Sequence, residues 1–150
     1  MAKTLCILGS TGSIGTQCLD IVQSTEYSVY ALAASENIDL LEQQIRKYTP
    51  QMAAMLNREK AKELSIRVAD TNTKVYAGEE GVLALAGAGC DMVLNAIVGI
   101  AGLLPTLTAI KAGSVKALNL NLNLHTNLLK VWTIFVVEVC TSFPLDQKWV

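Results

Sequence analysis

The feature that most constrains this chain is a glycine-rich segment between a short apolar run and an amphipathic one. Residues 4–8 are apolar and predict a buried strand. Apolar residues recur at helical spacing over 13–24 and predict a helix. Between the two runs, and overlapping the start of the helix, lies the sequence Gly9-Ser10-Thr11-Gly12-Ser13-Ile14-Gly15. A strand that passes through glycines directly into a helix is typical of the first turn of a βαβ unit.

Each glycine of this loop has a different physical role. Gly9 permits the tight turn, Gly12 has no side chain to block a pyrophosphate, and Gly15 lets the helix pack closely on the sheet. Free amides and the positive end of the helix dipole favour phosphate at this place. The hydroxyls at positions 10, 11 and 13 add donors for phosphate oxygens. Because glycine-rich turns without a ligand can share this spacing, the loop alone is weak evidence for a dinucleotide site.

Strand and helix patterns alternate along the following hundred or so residues. Further strands are predicted over 27–34, 51–56, 74–76, 91–96 and 115–118, and further helices over 38–49, 58–65, 79–86 and 103–112. Asn57 is expected to cap the helix over 58–65. Strands that alternate with helices of about 10–15 residues indicate βαβ units and a parallel sheet with right-handed crossovers. The predicted fold is therefore α/β, a doubly wound parallel sheet of the Rossmann type.

A second segment with binding character follows the second predicted strand, about 20 residues after the loop. It reads Ser35-Glu36-Asn37. Glu36 could accept a hydrogen bond from a ribose 2′-hydroxyl, which favours NAD, whereas Ser35 and Asn37 could bind a 2′-phosphate. Ser35 or Asn37 could also simply cap the next helix. The residues alone leave the choice between NAD and NADP open.

A third segment, Asn95-Ala96-Ile97-Val98, follows the strand predicted over 91–96. Ligands of doubly wound sheets bind at the carboxyl edge of the strands, where the strand order reverses. Gly99 and Gly102 follow directly and would let the backbone approach a nicotinamide ribose. Taken alone, this segment is also compatible with an ordinary glycine-rich connection.

Charge and composition argue against several other functions. The 12 basic and 13 acidic residues nearly cancel and form no basic cluster, which disfavours nucleic acid and anionic membranes as partners. The longest apolar stretch, 128–140, contains Lys130 and Glu138 and is too short to span a bilayer. The four cysteines form no C-x-x-C pair and indicate buried free thiols in a reducing compartment. With no signal peptide before the first strand, we expect a soluble cytoplasmic protein.

Together the three segments resemble the 1-deoxy-D-xylulose 5-phosphate reductoisomerase family of non-mevalonate isoprenoid biosynthesis. Residues 7–16, 33–37 with Leu40-Leu41, and 95–107 carry the resemblance, which extends over about 3–118. It implies NADPH as cofactor, although Glu36 stands where many relatives carry a basic or small residue. It further implies phosphate contacts from Thr11, Gly12, Ser13 and Ile14, adenosine-ribose contacts from Ser35, Glu36 and Asn37, and a nicotinamide-side lining of Ala96, Ile97 and Val98.

The resemblance implies an NADPH-binding domain over 1–118 and a divergent apolar tail over 119–150. Where the family continues with Ala-Asn-Lys-Glu, this chain has Asn121 for the Lys and Leu122 for the Glu. The family's Asp-Ser-Glu site for Mg²⁺ or Mn²⁺ is missing, as are regions that build its homodimer. We therefore expect a truncated chain that binds cofactor but has no catalytic or metal-binding residues and is inactive alone. The alternative is a stand-alone dinucleotide-binding or regulatory module.

Overall fold

The computed structural model of the protein describes residues 2–114 and the backbone of 116–119. Within this part of the chain, strands and helices alternate strictly. The strands are β1 (Lys3–Leu8), β2 (Tyr27–Ala34), β3 (Met52–Met55), β4 (Lys74–Ala77), β5 (Met92–Asn95) and β6 (Lys116–Asn119). The helices are α1 (Ser13–Val22), α2 (Ile38–Tyr48), α3 (Arg58–Arg67), α4 (Gly78–Ala86) and α5 (Leu103–Lys111), with a 3₁₀ turn at Gly99–Gly102 before α5. The tail predicted over 119–150 lies outside the described residues, except for the backbone of Asn119.

The six strands form one parallel sheet in the order β4-β3-β2-β1-β5-β6. The chain runs outward from β1 to β4 and then returns to β5 on the other side of β1. The strand order therefore reverses between β1 and β5, which is the switch point where doubly wound sheets bind their ligands. This topology confirms the predicted α/β fold.

Helices cover both faces of the sheet, and each face has its own apolar core. Helices α1, α2 and α3 pack on one face and α4 and α5 on the other. The first core includes Ile7, Leu19, Leu32, Leu41, Ile45, Met55 and Leu64. The second core includes Cys6, Leu8, Ala31, Ala33, Val82, Leu85 and Val93. Each large aliphatic side chain buried in this way contributes about 1.5–3 kcal/mol relative to an exposed one.

A register shift between β1 and β2 keeps both cores continuous. Leu5 pairs with Val29 but Cys6 pairs with Ala31, so Tyr30 is an extra residue in β2. Successive side chains of a strand point to opposite faces, and the extra residue restores the match between the two strands. Beyond the bulge the strands stay in register as far as Leu8 and Ala33. Both strands therefore end together at the carboxyl edge.

Local side-chain hydrogen bonds set several helix ends. The Asn57 side-chain oxygen accepts from the amides of Glu59 and Lys60 at 3.0 and 3.1 Å, which confirms the predicted cap of α3. Helix α1 ends at Val22, two residues earlier than predicted. The hydroxyls of Ser24 and Thr25 donate to main-chain carbonyls three residues back, which favours a turn over further helix. None of these five helices is long and apolar enough to cross a membrane.

Candidate functional site

The glycine loop turns from β1 into α1 at the carboxyl edge of the sheet. Gly9 has a φ of +88°, in the left-handed region. The amides of Gly9 and Ser10 both donate to the carbonyl of Ala33 at the end of β2, at 2.9 and 2.8 Å. A Cβ on Gly9 would stand 3.1 Å from the carbonyl carbon and oxygen of Ala96, which follows β5. Gly9 is therefore needed both for its backbone conformation and for the close approach of the third segment.

Gly15 and Gly12 differ in what the folded chain requires. A Cβ on Gly15 would lie 2.3 Å from the carbonyl oxygen of Gly9 and 2.5 Å from Cα of Ser10, distances that no side chain can occupy. A Cβ on Gly12 would meet nothing closer than 3.4 Å, an ordinary contact, and Gly12 has a φ of −78° that any residue can adopt. The fold itself thus demands glycine at 15 but not at 12.

The amides at the start of α1 are available to a ligand. The Gly12 amide donates to the Gly9 carbonyl at 3.1 Å, but the amides around it make no hydrogen bond within the described residues. These unpaired donors are the amides of Thr11, Ser13, Ile14 and Gly15. Convergent amides at a helix N-terminus, together with the positive end of the helix dipole, bind anionic oxygens.

Ser10 differs from the expectation that its hydroxyl serves a phosphate. Its side chain is fully buried, and the hydroxyl finds no partner in the described part of the chain. The turn at Gly9 carries this side chain into the protein interior, while the Ser10 carbonyl accepts from the buried side-chain amide of Gln44 at 2.9 Å. Ser10 therefore belongs to the support of the loop rather than to its exposed side.

A cavity of 480 Å³ lies beside the loop at the switch point. The predicted residues that line it are Gly9, Thr11, Gly12, Ser35, Ala96, Ile97 and Val98. The residues that sequence reasoning did not assign to the site are Ala33, Ala34, Leu56, Glu79, Val82, Ala101 and Pro105. Cofactor sites have volumes of about 300–1,000 Å³ and mostly apolar walls with a few polar groups, and this cavity fits that description.

Asn95 holds the third segment in shape. The side chain is fully buried at the end of β5. Its amide nitrogen donates to the Gly102 carbonyl at 2.7 Å and to the Thr106 hydroxyl at 2.9 Å, and its oxygen accepts from the Ile97 amide at 3.1 Å. These three bonds fix the connection from β5 through the 3₁₀ turn to α5. A polar residue that ends an otherwise apolar strand was the signal that could have identified it.

The second segment, Ser35-Glu36-Asn37, contributes one residue to the lining of the cavity. Ser35 lines the cavity, whereas Glu36 and Asn37 stand beyond its wall. The Asn37 side chain accepts from the Leu40 amide at 3.1 Å, so it caps α2 as one of the two sequence interpretations predicted. Capping occupies only the side-chain oxygen of Asn37.

Glu36 is held by two residues at the start of α3, the capping residue Asn57 and Lys60 of its first turn. One carboxylate oxygen lies 2.9 Å from the Lys60 ammonium, and the other accepts from the Asn57 side-chain amide at 3.2 Å. The Lys60 ammonium also donates to the Glu36 carbonyl at 2.9 Å. The hydrogen bonds from Lys60 and then Asn57 lower the pKa of Glu36, so its carboxylate is ionised at neutral pH.

A larger cavity, of 820 Å³, opens at the opposite edge of the sheet. It is lined in part by Met52 and Lys74, the first residues of β3 and β4. Doubly wound sheets bind ligands at the carboxyl edge, so the smaller cavity is the candidate site. Across residues 2–114 no group of three His, Cys, Asp or Glu side chains is arranged to hold a metal ion.

Comparison with known proteins shows what this chain is similar to. The family model described as 1-deoxy-D-xylulose 5-phosphate reductoisomerase matches residues 5–121. A reductoisomerase of that name from Geotalea uraniireducens is 49% identical over 149 residues, which cover 97% of this chain and 39% of the relative. One from Bacteroides fragilis is 45% identical over 119 residues, or 77% of this chain and 31% of the relative. The match to the first relative thus extends past Leu118, and the chain spans about a third of both relatives.

Solved structures agree with the sequence comparison. The reductoisomerase from Zymomonas mobilis in complex with NADPH has a TM-score of 0.76 and 30% identity, covering 81% of this chain and 32% of that chain. A reductoisomerase in complex with NADPH, fosmidomycin and magnesium has a TM-score of 0.74 and 34% identity, covering 79% of this chain and 30% of that chain. Each of these two structural matches covers about as many residues of this chain as the structure describes.

Proposed function

Because this chain belongs to the 1-deoxy-D-xylulose 5-phosphate reductoisomerase family, we propose that residues 1–118 form an NADPH-binding domain. One observation carries the proposal. Unpaired amides at the start of α1 lie beside the cavity at the switch point. The fold has room for a side chain at position 12, yet the residue there is glycine. An unoccupied position of this kind is what a diphosphate needs in order to approach the backbone.

The proposal assigns each segment to one part of the cofactor. Thr11, Ser13 and Ile14 bind the diphosphate through their free amides, and Gly12 contacts it closely because it has no side chain. Ser35, Glu36 and Asn37 surround the adenosine ribose, and Ala96, Ile97 and Val98 line the nicotinamide side. When bound, NADPH would supply the hydride for the reduction step of the family's reaction. Of the loop hydroxyls, those of Thr11 and Ser13 remain candidate phosphate donors, since the Ser10 hydroxyl is buried.

We infer that this chain supplies the cofactor-binding part of a larger catalytic assembly. The support is that it spans only 39% and 31% of the two relatives described above. The family reaction converts 1-deoxy-D-xylulose 5-phosphate to 2-C-methyl-D-erythritol 4-phosphate. The 150-residue chain alone is expected to bind NADPH without oxidising it when this substrate is added. A separate tail beyond residue 118, and the absence of regions that build the family's homodimer, stay predictions.

Cytoplasmic location is part of the same proposal. Cys6 and Cys90 are buried and Cys18 is half-buried, and all three are free thiols. Free thiols of this kind are typical of proteins in reducing compartments. Cys140 lies outside the described residues.

The proposal is tested by titrating the full chain with NADPH. Calorimetry should detect binding, and the melting temperature should rise, because a ligand at about 100 times its Kd stabilises the folded state by about 2.7 kcal/mol. Gly12→Ala serves as the matched variant, since it should fold normally and bind poorly. The absence of heat and of a melting shift at millimolar NADPH would refute the proposed function.

A further inference from the structure

We propose that Glu36 and Lys60 together set the cofactor preference of this chain and allow it to bind NADH as well as NADPH. The inference rests on the proposed function, because it concerns the adenosine end of the same site. It adds a specificity-determining pair and widens the cofactor class from one dinucleotide to two.

Both residues follow chain segments that line the cavity, although neither of them lines it directly. Ser35 and Leu56, which follow β2 and β3, line the cavity. Glu36 comes directly after Ser35, and Lys60 belongs to the first turn of α3. In dinucleotide folds the ribose 2′ position lies at the end of the second strand, where an acidic side chain accepts from a 2′-hydroxyl and a basic one receives a 2′-phosphate. This chain has one of each at that place.

The two charges are coupled by direct bonds. The Lys60 ammonium lies 2.9 Å from the Glu36 carboxylate and 2.9 Å from the Glu36 carbonyl oxygen. An ammonium has three donors, so one N–H of Lys60 is left after these two contacts. The other cation of this turn, Arg58, is engaged with Glu80 at 2.7 Å. Lys60 is thus the cation that stands beside Glu36 within the described residues.

The pair offers one group to each form of the ribose. The ionised Glu36 carboxylate can accept from the 2′-hydroxyl of NADH, as acidic residues do at this position. The 2′-phosphate of NADPH would be repelled by Glu36 and attracted by Lys60. Because the pair has no net charge, neither cofactor is strongly favoured, and we expect the two dissociation constants to agree within about tenfold.

The test measures the dissociation constants of NADH and NADPH for the full chain by calorimetry. In Glu36→Gln the repulsion is lost, so NADPH should bind about threefold to tenfold more tightly and NADH more weakly. In Lys60→Met, NADPH should bind about tenfold more weakly, and NADH should change by less than about threefold. Glu59→Gln and Lys62→Met, on the same helix and exposed, are the matched charge controls.

Each outcome decides the inference. Opposite shifts of the NADPH-to-NADH preference in the two variants, with unchanged controls and melting temperatures, support it. A wild-type preference above about a hundredfold, or a preference that neither variant alters, overturns it while leaving dinucleotide binding intact. If the wild-type chain binds neither cofactor, the proposed function fails and the inference fails with it. In Lys60→Met only the repulsion of the 2′-phosphate by Glu36 remains, so raising the salt concentration should strengthen NADPH binding relative to NADH in that variant more than in the wild type.

Discussion

The side-chain amide of Gln44 donates a 2.9 Å hydrogen bond to the main-chain carbonyl of Ser10. Both residues are buried, Gln44 with 5% and Ser10 with none of its surface exposed. The bond joins the middle of α2 to the glycine loop, 34 residues earlier in the chain. The loop is therefore supported by the second βαβ unit as well as by its own strand and helix.

Replacing this support should weaken both the fold and the site. In Gln44→Ala the Ser10 carbonyl loses its partner in a buried place, and we expect a loss of about 1–3 kcal/mol in the free energy of unfolding. NADPH should also bind less tightly, because the loop is less well held. Urea unfolding and calorimetry measure the two effects. Gln43→Ala, at the exposed neighbouring position, is the control, and equal unfolding midpoints for the two variants would contradict the prediction.

The glycines at 12 and 15 should respond differently to alanine. Gly15→Ala places a Cβ 2.3 Å from the Gly9 carbonyl oxygen, so the variant should lose stability or fail to fold. Gly12→Ala has room within the fold and should cost less than about 1 kcal/mol, yet its methyl group should weaken NADPH binding at least about tenfold. Melting curves and NADPH titrations separate the cases. Normal NADPH affinity in Gly12→Ala would argue that the diphosphate binds elsewhere.

Asn95 should matter more than its bonding partner Thr106. Asn95→Leu breaks three hydrogen bonds and leaves the Ile97 amide without its acceptor. We expect a destabilisation of about 1–3 kcal/mol, with weaker NADPH binding because the segment proposed to line the nicotinamide side shifts. Thr106→Val removes only one of the Asn95 contacts and should have a smaller effect on both quantities. Denaturant unfolding and calorimetry are the measurements, and equal effects would show that the Asn95 network is not the main support.

Acid should destabilise the protein partly through Asp91. The amide and the hydroxyl of Thr4 donate to one Asp91 carboxylate oxygen at 2.7 and 2.8 Å and lower the pKa of Asp91 below its ordinary 3.8. A carboxyl group whose pKa is lowered by folding stabilises the folded state above its ordinary pKa. That stabilisation is lost as the pH falls through the lowered value.

The stability of Asp91→Asn should accordingly fall less between pH 5 and pH 2 than that of the wild type. Asn keeps the size of the side chain and removes its titration. Asp20→Asn, on the exposed side of α1, should retain the wild-type dependence. Thermal unfolding across this pH range measures the difference. Parallel curves for wild type and Asp91→Asn would show that the Thr4 contacts do not hold the charge.

Local patterns predicted much of this fold. The strand over 27–34 agrees with β2 in both its bounds, and the cap at Asn57 was expected because short polar side chains accept from the first free amides of a helix. The end of α1 and the 3₁₀ turn at Gly99–Gly102 were missed. Both depend on particular side-chain bonds, from Ser24 and Thr25 in one case and from Asn95 in the other.

The sequence predicted only those parts of the candidate site that depend on neighbouring residues of the chain. The glycine loop and the residues after β1, β2 and β5 could be identified because turn chemistry acts within a few residues of the chain. Leu56 and Val82 could not, since they reach the cavity only through the strand order and the packing of α4 over the sheet. The Ser10 hydroxyl is likewise buried because the loop packs against the neighbouring elements.

By itself, then, the sequence determined the alternation of strands and helices, the turn at Gly9 and the place of the loop at a helix start. These follow from backbone preferences and from hydrophobic period, which are properties of short segments. Only the tertiary structure decided that Gln44 supports the loop and that Lys60 pairs with Glu36. The physical reason is that such contacts join residues 24 to 34 positions apart, and their distances depend on sheet register and helix packing.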